Sequence, residues 1–313
     1  SVHHQCSMIV DAKWTGASTS ERYKDKIPLN CLRLLGPEYV LLDESYTHRG
    51  KTSNSHASNN AMSIMLSLGG GGDLTIAGKL VEKLLHRAPS DIDFLVQPVI
   101  GHFATNKEVI LSIAENDERV KPISHARSLY DYLKTTTLYI GAAGGTLYEI
   151  LSMGIPAVTF ALTQNQHNSL SHLEDLGHYF HLNEFGEESF DKLAELTWSI
   201  ISNIHRIQNL YAAPKKVQID GLGAERVAKA INSLLKNVGE NNPSSSSIPL
   251  QSKETSDTSY VFERVDDRYV NRYLDSRNLS VNLRNMTETE KVHHLDHYLW
   301  WLKTGRISFL LKK

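Results

Sequence analysis

The feature that most limits what this chain can fold into is a regular alternation of short apolar runs and amphipathic stretches between residues 62 and 238. Met62–Leu68, Asp93–Ile100, Val120–Ile123, Leu138–Gly141, Ala157–Ala161 and Tyr179–Leu182 read as strands, because they are short, apolar and bounded by turn-forming residues. Between the first two, apolar residues recur at Leu74, Ala77, Leu80, Val81, Leu84 and Leu85, the spacing of one helix face over 74–86. Lys107–Glu115, Ser128–Lys134, Thr146–Ser152 and Asn165–Leu176 read as further helices, and Phe190–Asn203 and Ala224–Leu235 close the series. Parallel strands cannot be joined by tight hairpins; they need crossovers, and helices supply them. The expectation is an α/β fold, a Rossmann-like doubly wound parallel sheet over residues 61–238.

The flanks follow different rules. Residues 1–60 are irregular: Met8–Val10 and Tyr39–Leu42 read as short strands, and Gly16, Pro28, Gly36 and Pro37 punctuate loops between them. Thr47–Asn60 is almost wholly polar. Residues 239–259 hold Pro243, four serines from Ser244 to Ser247 and Pro249, the composition of a flexible linker. After it, Tyr260–Arg264 and Ile307–Leu311 read as strands, and Asp267–Leu274 and Glu288–Lys303 as helices. A segment of roughly fifty residues buries little core alone, so 260–313 is expected to be a partial α+β second domain. With no initiator Met, the chain is expected to be a fragment or a processed product.

Composition excludes several functions. A formal net charge of -2 with no basic stripe argues against nucleic acid. No apolar run is long enough to span a membrane, and no signal peptide opens the chain. Cys6 and Cys31 are far apart in sequence and match no metal-ligand pattern, which fits a reducing cytoplasm. His293, His294 and His297 stand near i, i+4 spacing, but no third ligand accompanies them, so neither a metal nor another cofactor is expected.

Four stretches carry candidate chemistry. Gly69, Gly70 and Gly71 leave an apolar strand and enter a helix: a turn free of Cβ atoms lets backbone approach a ligand, and a helix start favours phosphate. The same residues also suit a purely structural tight turn, with Asp73 as helix cap. Gly144, Gly145 and Thr146 form a second strand–glycine–helix unit. Glu149, three residues after Thr146, closes a capping box in one reading. In the other it accepts hydrogen bonds from two ribose hydroxyls, since a carboxylate offers two oxygens to a vicinal diol. Gln164, Asn165 and Gln166 follow a strand end, where open α/β sheets bind ligands, and amides read sugar hydroxyls; an ordinary polar loop is the alternative. Ile123 sits in Pro122–His125, another strand end, suited to an apolar wall beside a base, though seen alone the stretch reads simply as a loop.

Taken together with Gly154-Ile155-Pro156 and Asp220-Gly221-Leu222-Gly223-Ala224-Glu225-Arg226, these turns resemble the C-terminal domain of the UDP-2,4-diacetamido-2,4,6-trideoxy-β-L-altropyranose hydrolases of pseudaminic acid biosynthesis. That family is related to a peptidoglycan-precursor glycosyltransferase of the glycosyltransferase-B type. The resemblance runs from about Ser7 to Lys236, and Tyr39–Glu44 looks like the element joining that family's two domains. It implies UDP or a UDP-sugar as partner. Gly69 to Gly71 would approach the phosphates or sugar, Ile123 the uracil, Gly144 to Thr146 the diphosphate, Glu149 the ribose, and Gln164 to Gln166 the sugar. It also implies a Gly-His loop that activates water, and no Gly-His-x-x-Arg stretch precedes the domain here, so catalytic residues stay unassigned. A glycosyltransferase with a UDP-sugar donor, or a non-catalytic module of the same fold, are the alternatives. The tail, through Val281–Thr287 and His294–Trp301, resembles the first helices of the GNAT-superfamily N-acetyltransferases, without their acyl-CoA pyrophosphate loop.

Overall fold

The computed structural model describes residues 3–47, 61–239, 261–284, 289–303 and 308–312. The expected linker and the polar stretch before residue 61 fall almost wholly outside these residues.

Among the described residues, twelve strands occur in chain order: β1 (Met8–Asp11), β2 (Leu32–Leu35), β3 (Met62–Ser67), β4 (Gly71–Asp73), β5 (Phe94–Ile100), β6 (Phe103–Thr105), β7 (Ile123–Ser124), β8 (Leu138–Ala142), β9 (Ala157–Phe160), β10 (Phe180–Leu182), β11 (Val261–Val265) and β12 (Ser308–Lys312). The helices are α1 (Thr75–His86), α2 (Lys107–Asn116), α3 (Tyr130–Leu133), α4 (Thr146–Met153), α5 (Leu170–Asp175), α6 (Phe190–Ser202), α7 (Ile204–Ala212), α8 (Gly223–Gly239), α9 (Val270–Arg277), α10 (Ser280–Leu283) and α11 (His294–Lys303).

The central sheet has six strands in the order β10-β9-β8-β3-β5-β7, all parallel. Counted along the chain within that sheet, the order is 3-2-1-4-5-6 read from β7, that of a doubly wound Rossmann sheet. The fold is therefore α/β with a parallel sheet, as the alternation implied. Helices cover both faces, so the inner strands are apolar on both sides: Ile64, Leu138, Ile140, Ala157, Val158 and Phe160 are fully buried. One apolar cluster joins α1, α6 and α7 to one face; a second joins α4, α5 and Val40, Leu42, Tyr46 and Ile219 to the other.

The order reverses between β3 and β8. There Ser67 lies in register with Gly141. A Cβ on Gly141 would overlap the Ser67 carbonyl and crowd the ring of Tyr139, so only glycine lets these strand ends close up. The Asp220–Arg226 motif has a packing reason too. Arg226 Nη1 donates to Asp220 at 2.8 Å and to the Glu38 carbonyl at 2.9 Å. A Cβ on Gly221 would sit 2.5 Å from the Tyr46 carbonyl, and one on Gly223 would overlap that of Val40. Residues 36–47 are thereby fixed against the start of α8.

Several sequence expectations are corrected. Tyr39–Leu42 is not a strand: Pro37–Tyr39 makes a 3-10 turn, and Val40 and Leu42 then bury singly in the second cluster. Its place is taken by Leu32–Leu35, which pairs in parallel with β1. The helix expected from Asn165 begins only at Leu170, after a 3-10 turn over Gln164–Gln166. The amide of Asn183 holds the chain extended there, accepting from the Asn168 N–H at 2.8 Å and donating to its carbonyl at 2.8 Å. The two cysteines, distant in sequence, bring their sulfurs to 3.5 Å as free thiols.

Residues 261–284 and 289–303 pack on the sheet's β10 edge. Val265, Val270, Leu295, Tyr298, Leu299, Trp301 and Leu302 belong to the same apolar cluster as α1 and α6. Polar contacts pin the interface: the Asn271 N–H donates to Glu174 Oε1 at 2.9 Å, Asn271 Nδ2 to the Tyr179 carbonyl at 2.9 Å, and Arg272 Nη2 to Asp175 Oδ1 at 3.1 Å. No described helix is long and apolar enough to cross a membrane.

Candidate functional site

A crevice at the carboxyl end of a parallel sheet forms where neighbouring strands send their connections to opposite faces. Here that point lies between β3 and β8, and a cleft of about 680 Å³ opens beside it. One wall is the β3 turn, with Ser67, Gly69 and Gly70, together with Thr146 at the start of α4. The other comes from the loops after β5 and β7, through Gly101, His102, Lys107, Ser124, His125 and Arg127.

The two glycine turns differ from the glycines beneath them. A Cβ on Gly69, Gly70, Gly144 or Gly145 would meet nothing within 4 Å, so these positions open onto free space rather than onto protein. Gly101, by contrast, is wedged: its Cβ would lie 2.6 Å from the Gly70 carbonyl carbon and 2.7 Å from the carbonyl oxygens of Gly69 and Gly70. The β3 turn is further anchored by a short parallel ladder of β4 with β6, and by Asp73, which accepts from the Thr75 N–H and from Asn106 Nδ2, both at 2.8 Å. Below the floor, Tyr139 is fully buried and its hydroxyl donates weakly to the Ser67 carbonyl at 3.5 Å.

The charge of the lining is one-sided. Lys107 and Arg127 face the cleft with His102 and His125, and among the described residues no carboxylate lines it. This stands against a chain whose net charge is -2. His125 adopts φ 57°, a left-handed backbone uncommon for a residue with a side chain, of the kind that concentrates at binding sites. Neither Lys107 nor Arg127 was visible as a site residue in the sequence, since scattered cations carry no motif. The glycines that frame them were the only signal.

The expected residues fall into three groups. Gly69, Gly70 and Thr146 line the cleft together. Gly71 lies in β4, and Gly144 and Gly145 form the turn into α4 just behind Thr146. Ile123 is buried at 3% exposure, paired with Val99, and its neighbours Ser124 and His125 line the cleft in its stead. Glu149, Gln164 and Gln166 lie outside the lining, and the side chain of Asn165 falls outside the described residues. Gln164 is exposed, while Gln166 Oε1 accepts from the Leu162 N–H at 2.8 Å and shapes its own loop. No capping box forms at α4: Gly145 is the residue before the helix, and no side chain caps it. Glu149 is instead half buried beside the Tyr46 hydroxyl, and burial raises its carboxyl above the usual range. Among the described residues no group of three His, Cys, Asp or Glu is placed to hold a metal ion, and His297 Nε2 pairs with the Val270 carbonyl at 2.9 Å.

No family model matches the chain. A curated relative, the uncharacterized protein MJ1062 of Methanocaldococcus jannaschii, is 27% identical over 139 residues, 43% of this chain and 28% of that protein. Among solved structures the chain is similar to MnaA of S. aureus in a co-structure with UDP, at 13% identity over 71% of this chain and 57% of that one, with a TM-score of 0.43. It is similar to WaaG, a glycosyltransferase involved in lipopolysaccharide biosynthesis, at 13% identity over 72% and 62%, with a TM-score of 0.48. It is also similar to the spinosyn rhamnosyltransferase SpnG complexed with thymidine diphosphate, at 14% identity over 63% and 50%, with a TM-score of 0.36. The chain spans less than two thirds of the length of each of these proteins.

Proposed function

We propose that this chain binds a nucleoside diphosphate sugar, specifically a UDP-sugar, in the cleft between the β3 and β8 turns. One observation carries the reading: the crevice at the sheet's reversal point is walled by open glycine backbone and by Lys107 and Arg127, with no acidic residue facing in among the described residues. Such a wall suits a diphosphate, which needs N–H donors at close range and cations to balance its charge. The start of α4 adds the positive end of a helix dipole.

Glu149 takes the ribose hydroxyls in this reading, and Gln164 to Gln166 the sugar side, as the resemblance to the UDP-sugar hydrolases implies. Neither lies in the cleft lining, so these two assignments rest on the resemblance alone. The chemistry this cleft supports is stabilisation of UDP as a leaving group by fixed dipoles and cations. The acceptor of the sugar is water in the hydrolase reading. For the tail we infer an acetyltransferase-like organisation, supported by the antiparallel pairing of β11 with β12 around α9, α10 and α11.

Calorimetric titration with UDP tests the proposal. Binding at micromolar to millimolar UDP is expected, and Glu149→Ala is expected to weaken it by about 1–3 kcal/mol, the worth of hydrogen bonds to a charged group. Absence of any binding heat or spectral shift at millimolar UDP refutes it. Release of free sugar from a UDP-sugar distinguishes hydrolysis from transfer, which requires added acceptor.

A further inference from the structure

The sheet alone does not complete the surroundings of Glu149. Residues 43–46 reach it from outside the sheet and bring Tyr46 against α4. Tyr46 is 5% exposed, and its hydroxyl is buried without a hydrogen bond of full geometry. It lies close enough to the Glu149 carboxylate and to Ser128 to interact with both. A buried hydroxyl left without a proper partner costs stability, and proteins seldom keep one without a use for it.

The position of that hydroxyl is held from several directions. Asp43 accepts from the Ser45 N–H at 3.0 Å and from its hydroxyl at 2.6 Å, which sets the turn. The ring of Tyr46 meets Tyr130 edge-on, with centroids 5.2 Å apart. Its carbonyl is wedged by Gly221, where even a methyl group would not fit. A residue fixed this firmly, with its one polar atom aimed at a carboxylate it does not fully bond, is a lever on that carboxylate.

We propose that Tyr46 is a positioning residue for Glu149: on ligand binding its hydroxyl donates to one carboxylate oxygen and orients the group toward the two ribose hydroxyls. The inference rests on the reading that Glu149 takes the ribose. A carboxylate has lone pairs enough for one tyrosine and two sugar hydroxyls. The donor also favours the ionised form, opposing burial, which pushes the Glu149 carboxyl up. Among the described residues, the other titratable groups facing Glu149 are Asp43, on the same turn as Tyr46, and Tyr139 from β8. Asp43 disfavours its charge, so the tyrosine hydroxyl is the neighbour that sustains it.

The test is Tyr46→Phe in the whole chain, titrated with UDP and with 2′-deoxy-UDP across pH 5–8. The melting temperature is expected to stay the same or rise, since the lost hydroxyl had no proper partner. UDP affinity at pH 7 is expected to fall about tenfold, and 2′-deoxy-UDP affinity by clearly less, because only the ribose diol reads the carboxylate through both oxygens. The pH below which UDP binding is lost is expected to move upward. Equal losses for the two ligands, or an unmoved pH profile, overturn the proposal. Ser128→Ala provides a second variant: it removes the competing neighbour of the hydroxyl and is expected to leave UDP affinity intact or improved, whereas a tenfold loss there counts against Tyr46. Failure of the parent chain to bind UDP refutes the nucleotide-sugar reading itself; binding that depends on Glu149 but not on Tyr46 refutes this inference alone.

Discussion

Two neighbouring glycines in the cleft are expected to answer the same substitution in opposite ways. At Gly101 an added Cβ lies 2.6–2.7 Å from three backbone atoms of the β3 turn. Carbon contacts settle near 3.5–4.0 Å, so that turn must retreat by most of an ångström. No flexible side chain is available to absorb the shift. Overpacking of this kind costs about 1–3 kcal/mol, and each kcal/mol lowers the melting temperature of a domain this size by roughly 2–4 °C. Gly101→Ala is therefore expected to melt earlier by several degrees and to lose UDP affinity as the turn moves. At Gly70 an added Cβ meets nothing within 4 Å, and the backbone is not in the left-handed region. Gly70→Ala is expected to melt as the parent does, or higher by up to about 1 kcal/mol through a stiffer unfolded chain. Yet the methyl group occupies the space proposed for phosphate, so UDP affinity is expected to fall at least tenfold. Thermal melts by circular dichroism and UDP calorimetry on both variants separate the effects. Normal UDP binding by Gly70→Ala would show that nothing occupies that space, and an unchanged melt for Gly101→Ala would refute the wedge.

Acid should destabilise the fold from within. Thr159 Oγ1 sits 2.7 Å from His178 Nε2 and 2.8 Å from His181 Nδ1, all three residues fully buried. Burial pushes His178 down to about 3, His181 to about 4 and His297 to about 4. The unfolded chain protonates these rings near 6.5, so their contribution is complete above that pH and drains away as pH falls toward 4. Glu174, raised to about 7 by burial, acts in the opposite sense between 7 and 4.5. Three rings outweigh one carboxyl, and a net loss on the order of 1–3 kcal/mol per pH unit is expected between 6.5 and 4.5. A melting temperature flat across that window would refute it. Tyr298→Phe removes a hydroxyl that bonds Asn271 Oδ1 at 2.6 Å and reaches the His181 carbonyl at 3.2 Å. A loss of about 1–3 kcal/mol is expected in urea unfolding, without a change in UDP affinity.

The central sheet was legible because its signal is local: six buried apolar runs separated by helix-spaced ones. What escaped were elements whose sequence says little about their state. The β4–β6 ladder joins Gly71–Asp73, whose residues disfavour strands, to Phe103–Thr105, a run of three too short to read as one. Helix α7 carries Ile204, Ile207 and Leu210 at helical spacing, but this short polar-rich stretch, just after the helix expected to end at Asn203, lies in no expected element. The glycine half of the site was legible because a turn free of side chains is written in composition. The cationic half was not: Lys107 and Arg127 lie on connections that only the strand order brings face to face. Tyr46 was hidden for the same reason, since it reaches α4 across a hundred residues of chain.

The docking of residues 261–284 and 289–303 over β10 sets a rule for anyone shortening this chain. β10 ends the sheet on that side, its three residues are all buried, and the His181 carbonyl receives the Tyr298 hydroxyl from the covering helix. Cut away that cover and a bare apolar rim remains, with peptide groups ready to pair with the rim of another copy. A truncated product is thus expected to self-associate, even though every residue of the cleft is still in place.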